Sequence, residues 1–346
     1  MKEKLFFFSL KHPLVYILSL AVVLRILAVV FTSGYMIDDH YFNYYNIPLK
    51  WLDNPWLVYT VRLILGAFSL LIITLSYRIT KIIADKTTAL EVALLLAVLW
   101  NMPYVSVHPL PQIACLPFLL YGTLLVVKQD YLMKNKEIEK FHRTSFIIAG
   151  FFMGLGFAVY YQSLIFYIGI LIALLILKNW KGALMTLIGY VIAVLFTQTI
   201  VDLIIWHHPF VNMVGFFSNI GEHLIFSVSG IHYTLIGVLV YNILPPLSIL
   251  LIIGLFRVWR KYMLLFMPTF IVLLFYIIFP NYWFYLYILI PSFIIAGFVG
   301  WKEWYKKSSF WERNYWLVLT CYLLFAVLNT GILVFSYIVP SYFFSL

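Results

Sequence analysis

The sequence has little charge for its length. Asp, Glu, Lys and Arg together make up 10% of the 346 residues, whereas 64% of the residues are hydrophobic. The mean hydropathy of the chain is +0.99. A soluble domain has no interior large enough to bury this fraction of apolar side chains. The composition therefore excludes a soluble globular protein and predicts an integral membrane protein.

Several features that would define other functions are missing. The two cysteines, Cys115 and Cys321, both fall inside predicted membrane spans, so a disulfide framework is not expected. The chain has no Walker loop, dinucleotide fingerprint, CxxC or HExxH pattern. ATP-driven transport, hydride transfer and a zinc-peptidase site therefore lack support. No linker or fixed-period repeat divides the chain, and we expect a single domain over residues 1–346.

Apolar runs bounded by charged residues or proline predict an all-α, polytopic bundle of about eleven transmembrane helices. The predicted spans cover residues 13–32, 57–77, 88–107, 112–127, 144–160, 163–177, 182–201, 233–255, 262–279, 284–300 and 314–337. The first apolar run lacks a small-residue cleavage site, which favours an uncleaved span over a signal peptide.

Basic residues are distributed unevenly over the connections between these spans. With the amino terminus in the cytoplasm, twenty of the 23 Lys and Arg residues fall on the cytoplasmic side. Because basic residues near span ends stay on that side, the asymmetry predicts the orientation of the whole bundle. It also accounts for the net charge of +10, so we expect contact with membrane lipids and no nucleic-acid partner. The predicted location is the cell membrane, with many passes.

The opposite, outer face collects acidic residues and histidines. Only two outer connections exceed a tight turn, residues 33–56 and 202–232, and we expect them to form the active-site face. The residues predicted on this side are Asp38, Asp39, Asp53, Asp202, Glu222, His40, His108, His207, His208, His223 and His232. This polar inventory places the chemistry at the outer membrane surface.

The second outer loop shows a helical repeat of apolar residues. The repeat consists of Phe210, Met213, Val214, Phe217, Gly221, Leu224, Ile225 and Val228. It predicts an amphipathic helix that lies in the membrane interface. A loop that merely covers the bundle is the alternative, since periodicity alone does not separate the two.

Asp38 and Asp39 directly follow the first span, where a lipid-borne substrate and water would meet. Because adjacent carboxylates repel each other, one of the pair could have a raised pKa and accept a proton near neutral pH. The alternative is a cap for a short helix that begins at Tyr41. The pair could instead hold Mg²⁺ or Mn²⁺, which prefer oxygen ligands and would shield phosphate charge.

Two arginines lie inside predicted spans, Arg25 in the first and Arg62 early in the second. A charge that persists in a membrane usually faces the bundle or a polar cavity. Arg62 lies toward the outer leaflet, where its guanidinium could bind a lipid phosphate through two hydrogen bonds. The alternative is an Arg62 side chain that snorkels to the lipid headgroups.

Asp202 ends the seventh predicted span and is followed closely by His207 and His208. An aspartate beside two histidines could indicate zinc, but no zinc-ligand spacing accompanies them. Histidines at a membrane interface are the ordinary explanation.

Tyr160, Tyr161 and Gln162 occur at the outer end of the fifth predicted span. The exposed tyrosines could stack on a sugar ring, although aromatic belts at membrane interfaces also place tyrosine there. The span itself carries glycines that permit close helix packing, namely Gly150, Gly154 and Gly156.

In this order along the chain, these residues resemble a known superfamily. A first span followed by an acidic outer loop, here MIDDHYF, resembles the GT-C superfamily of polytopic glycosyltransferases, whose first outer loop carries the catalytic carboxylate. YTVRLIL is similar to the second-span arginine element of mannosyltransferases of the GPI-anchor and dolichol-pathway type. The start of their long loop resembles the stretch from Asp202 to Phe210, and its close resembles SGIHYTLIGVLVYNILPP, which contains His232. Their His-Lys-Glu-x-Arg-Phe element is replaced here by FPNYWFYLYILIP.

The resemblance implies an inverting glycosyltransferase that takes a sugar, mannose in that group, from a polyprenyl-phosphate donor. The acceptor would be a hydroxyl of a glycan, lipid or protein at the outer face. Asp39, with Asp38 as second choice, would deprotonate this hydroxyl. The residues expected to bind substrate are His40, Arg62, Tyr161, Gln162, Asp202, His208 and His232. A transporter or flippase of a lipid-linked sugar is the alternative; such proteins are often built of repeats, and the sequence has no matching halves.

Overall fold

The structure, a computed structural model, describes residues 11–31, 55–99, 101–134, 143–226, 243, 247–259, 261–278 and 287–305, together with 317, 320–321, 323–329 and 331. Within these ranges the regular elements are helices and there is no strand. The all-α class is therefore confirmed.

Thirteen helices can be followed through the described ranges. They are α1 (Pro13–Phe31), α2 (Pro55–Ile83), α3 (Lys86–Val98), α4 (Met102–Val105), α5 (Pro111–Ala114), α6 (Leu116–Lys134), α7 (Arg143–Val159), α8 (Ser163–Ile176), α9 (Trp180–Trp206), α10 (Val211–Phe226), α11 (Leu247–Val258), α12 (Met263–Ile278) and α13 (Ile290–Tyr305). Among the described residues, four stretches are long and apolar enough to cross a membrane: Pro13–Phe31, Trp56–Ile83, Pro111–Met133 and Trp180–Ile204. The chain is thus a multi-pass helical membrane protein, and a count of eleven spans stays a prediction.

The third predicted span, residues 88–107, is not one continuous helix. Helix α3 ends at Val98, and the chain turns at Leu99 before the separate short helix α4. Pro103 is the physical reason, because in a continuous helix it would lack the N–H for an intrahelical bond and its ring would clash with the carbonyl of Leu99. The prediction of an unbroken helix over 88–107 is therefore wrong, and a non-spanning segment enters the bundle at this point.

A helix does occupy the second long loop, as its apolar repeat predicts. Helix α10 turns the apolar side chains of Val211, Val214 and Phe217 outward, whereas Asn212 is buried. An exposed apolar face suits contact with lipid. The helix itself is confirmed, and its position in the membrane interface stays a prediction.

Glycines bring helices into close contact, as the sequence predicts. A Cβ atom built on Gly150 would lie 1.9 Å from the carbonyl oxygen of Thr186 in α9, and one on Gly154 would lie 2.7 Å from another α9 side chain. On Gly156 it would lie 3.0 Å from Leu119 of α6. These approaches leave no room for a side chain at the first two positions, so α7 and α9 pack backbone to backbone.

Two ion pairs involve consecutive residues of α13, Lys302 and Glu303. Lys302 Nζ donates to Glu91 of α3, and both side chains are largely buried. Lys261 Nζ donates to Glu303 at the surface, and this bond raises the pKa of Lys261. The buried pair is the stronger constraint, since removing one partner would leave the other charge buried without its ion-pair partner.

Candidate active site

Helices α1 and α2 run antiparallel, and a buried hydrogen bond fixes their register. Arg25 Nε donates to Ser69 Oγ at 2.6 Å, and Arg25 is only 4% exposed. This arginine therefore faces the bundle, as predicted for an intramembrane charge. Six residues further on, about 9 Å along the axis, α1 ends at Phe31.

The same register locates Arg62. It precedes Ser69 by seven residues, about 10 Å of helix, so Arg62 lies level with the end of α1. We call this end of the bundle, at Phe31 and Pro55, the predicted outer end. Arg62 is only 6% exposed, so its guanidinium lies inside the protein and does not snorkel among lipid headgroups.

The segment between α3 and α5 packs into the groove between α1 and α2. Val107 forms a buried apolar cluster with Ala28 and Val29 of α1. It also lies 3.4 Å from the Cβ position of Gly66 in α2. Because Gly66 and Arg62 are four residues apart, they share one face of α2. The segment thus faces the Arg62 side of the helix.

Tyr104 and His108 form the polar centre of this segment. Their ring centroids are 4.5 Å apart, and both side chains are buried. His108 Nδ1 lies 2.8 Å from the Tyr104 carbonyl oxygen. A carbonyl only accepts, so we assign the hydrogen to Nδ1, which fixes the orientation of the ring. Arg62 and Tyr287 lie close enough to interact electrostatically with the Tyr104 hydroxyl.

Three buried polar atoms in this segment make no hydrogen bond within the described part of the chain. They are Tyr104 Oη, Ser106 Oγ and, in the adjoining helix α5, Gln112 Oε1. A buried polar group without a partner costs about 1–3 kcal/mol, so such a concentration is typical of a site that a ligand or water completes.

Sequence reasoning missed this polar segment. The prediction treated residues 88–107 as membrane span and counted only His108 among the outer residues. The signal was present in NMPYVSVHPLPQ, where three prolines and several polar residues interrupt two apolar runs.

Asp202 is buried at the end of α9 and contacts the start of α10. Its carboxylate accepts hydrogen bonds from the backbone N–H of Asn212, at 3.3 Å, and from Asn212 Nδ2, at 2.8 Å. Between the helices, His207 and Phe210 have φ angles of 59° and 63°, a left-handed conformation that reverses the chain. His208 is exposed beside this turn. A direct role of Asp202 or His208 toward substrate stays a prediction.

The expectation that Tyr160 and Tyr161 are exposed is wrong. They are only 1% and 8% exposed. Tyr161 Oη donates to Gln198 Oε1 at 2.9 Å, and its ring centroid lies 4.9 Å from that of Phe216 in α10. Tyr160 donates to Gln162. The ring of Tyr161 packs on α10 and its hydroxyl bonds α9, and binding of substrate by Tyr161 or Gln162 stays a prediction.

The remaining candidates, Asp38, Asp39, His40 and His232, lie outside the described residues. Their proximity to Arg62 therefore stays a prediction. The described ranges contain no group of three or more His, Cys, Asp or Glu side chains that could hold a metal ion. The Mg²⁺ or Mn²⁺ alternative depends on Asp38 and Asp39 alone and also stays a prediction.

The bundle thus carries a buried arginine and a buried polar segment near the same end, as is usual for an intramembrane charge that faces the protein interior. Residues 53–206 match the dolichyl-phosphate-mannose-protein mannosyltransferase family, PMT_2. This match confirms the resemblance to GT-C membrane glycosyltransferases, and the chain is a glycosyltransferase of the mannosyltransferase type. A comparison with curated proteins finds no match for the chain. The matched range runs from α2 to α9 and includes Arg62, Tyr104 and Asp202.

Proposed function

We propose that the chain is an inverting glycosyltransferase that transfers a sugar, with mannose as first candidate, from a polyprenyl-phosphate donor to an acceptor hydroxyl. The reaction takes place at the outer face of the cell membrane, and the acceptor is a glycan, lipid or protein. The observation that carries the proposal is the buried Arg62, which lies in the family-matched range and level with the end of α1.

The chemistry explains the value of a guanidinium at this level. The acceptor oxygen attacks the anomeric carbon while the bond from that carbon to the phosphate oxygen breaks. The phosphate leaves with the bonding electrons and gains one negative charge. A fixed cation stabilises this developing charge, and more strongly in a water-poor site than in solution. Arg62 is proposed to take this role, with His40 or His208 as further donors.

A general base must accept the proton that the acceptor hydroxyl loses. We assign this role to Asp39, with Asp38 as second choice. Asp38 and Asp39 follow the last residue of α1 by seven and eight positions, so an extended chain could carry them at most about 25 Å and about 29 Å from Phe31. That limit keeps the carboxylates within reach of the predicted outer end, where Arg62 lies.

Helix α10 borders the same site in this proposal. Tyr161 and Asp202 hold it against the bundle, and Gln162, His208 and His232 are proposed to contact substrate. The amino terminus is cytoplasmic, in keeping with the distribution of basic residues. One domain over residues 1–346 contains the whole site.

The test compares two buried arginines. Membranes that carry wild type, Arg62→Gln or Arg25→Gln at equal abundance receive radiolabelled polyprenyl-phosphate mannose, with other polyprenyl-phosphate sugars in parallel. Loss of a donor to the developing charge should lower kcat/KM of Arg62→Gln by about 100-fold or more. Arg25 is hydrogen-bonded to Ser69, so Arg25→Gln should lower kcat/KM much less than Arg62→Gln.

Equal kinetics for the two variants would contradict a phosphate role for Arg62. If wild-type protein moves the labelled lipid across the membrane and releases no polyprenyl phosphate, the flippase alternative replaces the transferase.

A further inference from the structure

The Tyr104 hydroxyl is in an unusual position for a tyrosine. The side chain is 8% exposed, and its oxygen makes no hydrogen bond to any described residue. Buried tyrosines usually find a partner for this group. The folded chain therefore retains a buried O–H donor that a bound molecule would satisfy.

The surroundings of Tyr104 indicate the charge of that molecule. Arg62 lies close enough to act electrostatically on the Tyr104 hydroxyl, and a guanidinium carries only donors. Two donors that converge on one region are complemented by a group that only accepts. A phosphate oxygen is such a group, and hydrogen bonds to an anion are stronger than those between neutral partners.

The protein holds Tyr104 firmly in place. Its carbonyl oxygen accepts from the ring of His108, which packs against the Tyr104 ring with centroids 4.5 Å apart. Val107, in the same segment, is locked between Ala28 and Val29 of α1 and the Gly66 position of α2. A hydroxyl fixed in this way is preorganised for a ligand at the level of Arg62.

We propose that Tyr104 donates a hydrogen bond to the phosphate group of the polyprenyl donor, beside Arg62. The inference rests on the proposed function for the identity of the lipid. Tyr104 is thus a binding residue for the phosphate that the reaction releases, and His108 is a positioning residue that fixes Tyr104.

The test measures binding without catalysis. Purified protein in nanodiscs is titrated with radiolabelled polyprenyl phosphate, the product that carries the phosphate and no sugar. Tyr104→Phe removes only the hydroxyl, and we expect its Kd to rise about tenfold. Tyr190→Phe is the matched control, because this buried hydroxyl also lacks a hydrogen-bond partner within the described residues but lies where α9 packs against α7 and α8.

Competition separates two sources of phosphate. Phosphatidylglycerol and inorganic phosphate are added as unlabelled competitors to wild type and Tyr104→Phe. A donor site predicts that polyprenyl phosphate competes far better than phosphatidylglycerol, and that this preference shrinks in the variant. Equal competition by both lipids would show a general headgroup site and overturn the assignment to the donor.

A Kd for Tyr104→Phe within twofold of the Tyr190→Phe value would also overturn the proposal. If the Tyr104→Phe protein fails to fold, Tyr104→His and Tyr104→Leu are compared instead, because the imidazole keeps a hydrogen-bond donor and leucine has none. A Kd of Tyr104→His that is nearer to wild type than the Kd of Tyr104→Leu supports the proposal. Equal Kd values for these two variants contradict it. If wild type binds polyprenyl phosphate but transfers no sugar from any donor, the proposed transferase reaction fails while the assignment of Tyr104 stands.

Discussion

Replacement of Asp202 by alanine should detach the start of α10 from the bundle. The carboxylate of Asp202 is 1% exposed and accepts two hydrogen bonds from Asn212, which is itself buried. Alanine removes both acceptors and leaves the Asn212 amide buried without its partner. Asp202→Asn keeps one amide oxygen that can still accept one of the two bonds.

The size of the effect follows from these bonds. A hydrogen bond to a charged group contributes about 1.5–3 kcal/mol, and the backbone bond here is long. We therefore expect Asp202→Ala to lower the free energy of local opening of α10 by about 3 kcal/mol. That corresponds to roughly 100-fold faster amide exchange under conditions where the exchange rate is proportional to the equilibrium constant of local opening. Asp202→Asn should lose about half of this free energy.

The assay is hydrogen–deuterium exchange with mass spectrometry on protein in nanodiscs, read on peptides that cover residues 211–226. Ser218→Ala is the control, since its exposed hydroxyl only bonds the Gly215 carbonyl within α10. Exchange in Asp202→Ala that equals the Ser218→Ala rate would refute the anchoring role of Asp202. Faster exchange spread over all helices would also refute it, because the effect would then be global unfolding.

Three further changes test the packing around the site. Gly150→Val should lower the detergent melting temperature strongly, because its Cβ would lie 1.9 Å from an α9 carbonyl oxygen; an unchanged melting curve would contradict the close α7–α9 contact. Lys302→Met should lower the free energy of unfolding by about 3–5 kcal/mol in a denaturant titration, since buried Glu91 loses its ion-pair partner. A Glu91→Gln, Lys302→Met double variant should regain part of this free energy. A loss in the double variant equal to the sum of the two single losses would contradict a stabilising ion pair. Tyr161→Phe removes the bond to Gln198 of α9, which orients the ring that packs on Phe216 of α10, and should speed exchange in α10 by about tenfold; no change would show that ring packing alone holds the helix.

The sequence permits prediction of those parts of the fold that a single helix determines. The apolar run after Pro13 and the periodicity after Phe210 predict α1 and α10, because both patterns depend only on local spacing. The close approach at Gly150 is predictable for the same reason: a missing side chain is visible in the sequence.

Other features depend on what packs against them, and the sequence alone does not show this. Tyr161 has the pattern of an interface tyrosine, but a helix fifty residues later covers it. Tyr104 lies within an apolar run, so its burial beside Arg62 emerges only when the segment after Leu99 folds back between α1 and α2. Tertiary contacts override local patterns at both places.

The most direct test of the central claim is sugar transfer by Asp38→Asn and Asp39→Asn. Membranes with wild type or either variant at equal abundance receive radiolabelled polyprenyl-phosphate sugars and the acceptor fraction. General-base catalysis contributes about 10²–10⁴-fold, so one variant, Asp39→Asn first, should lose at least 99% of the transfer rate while its melting curve stays that of wild type. Transfer by both variants at the wild-type rate would contradict the account, since neither carboxylate could then be the base.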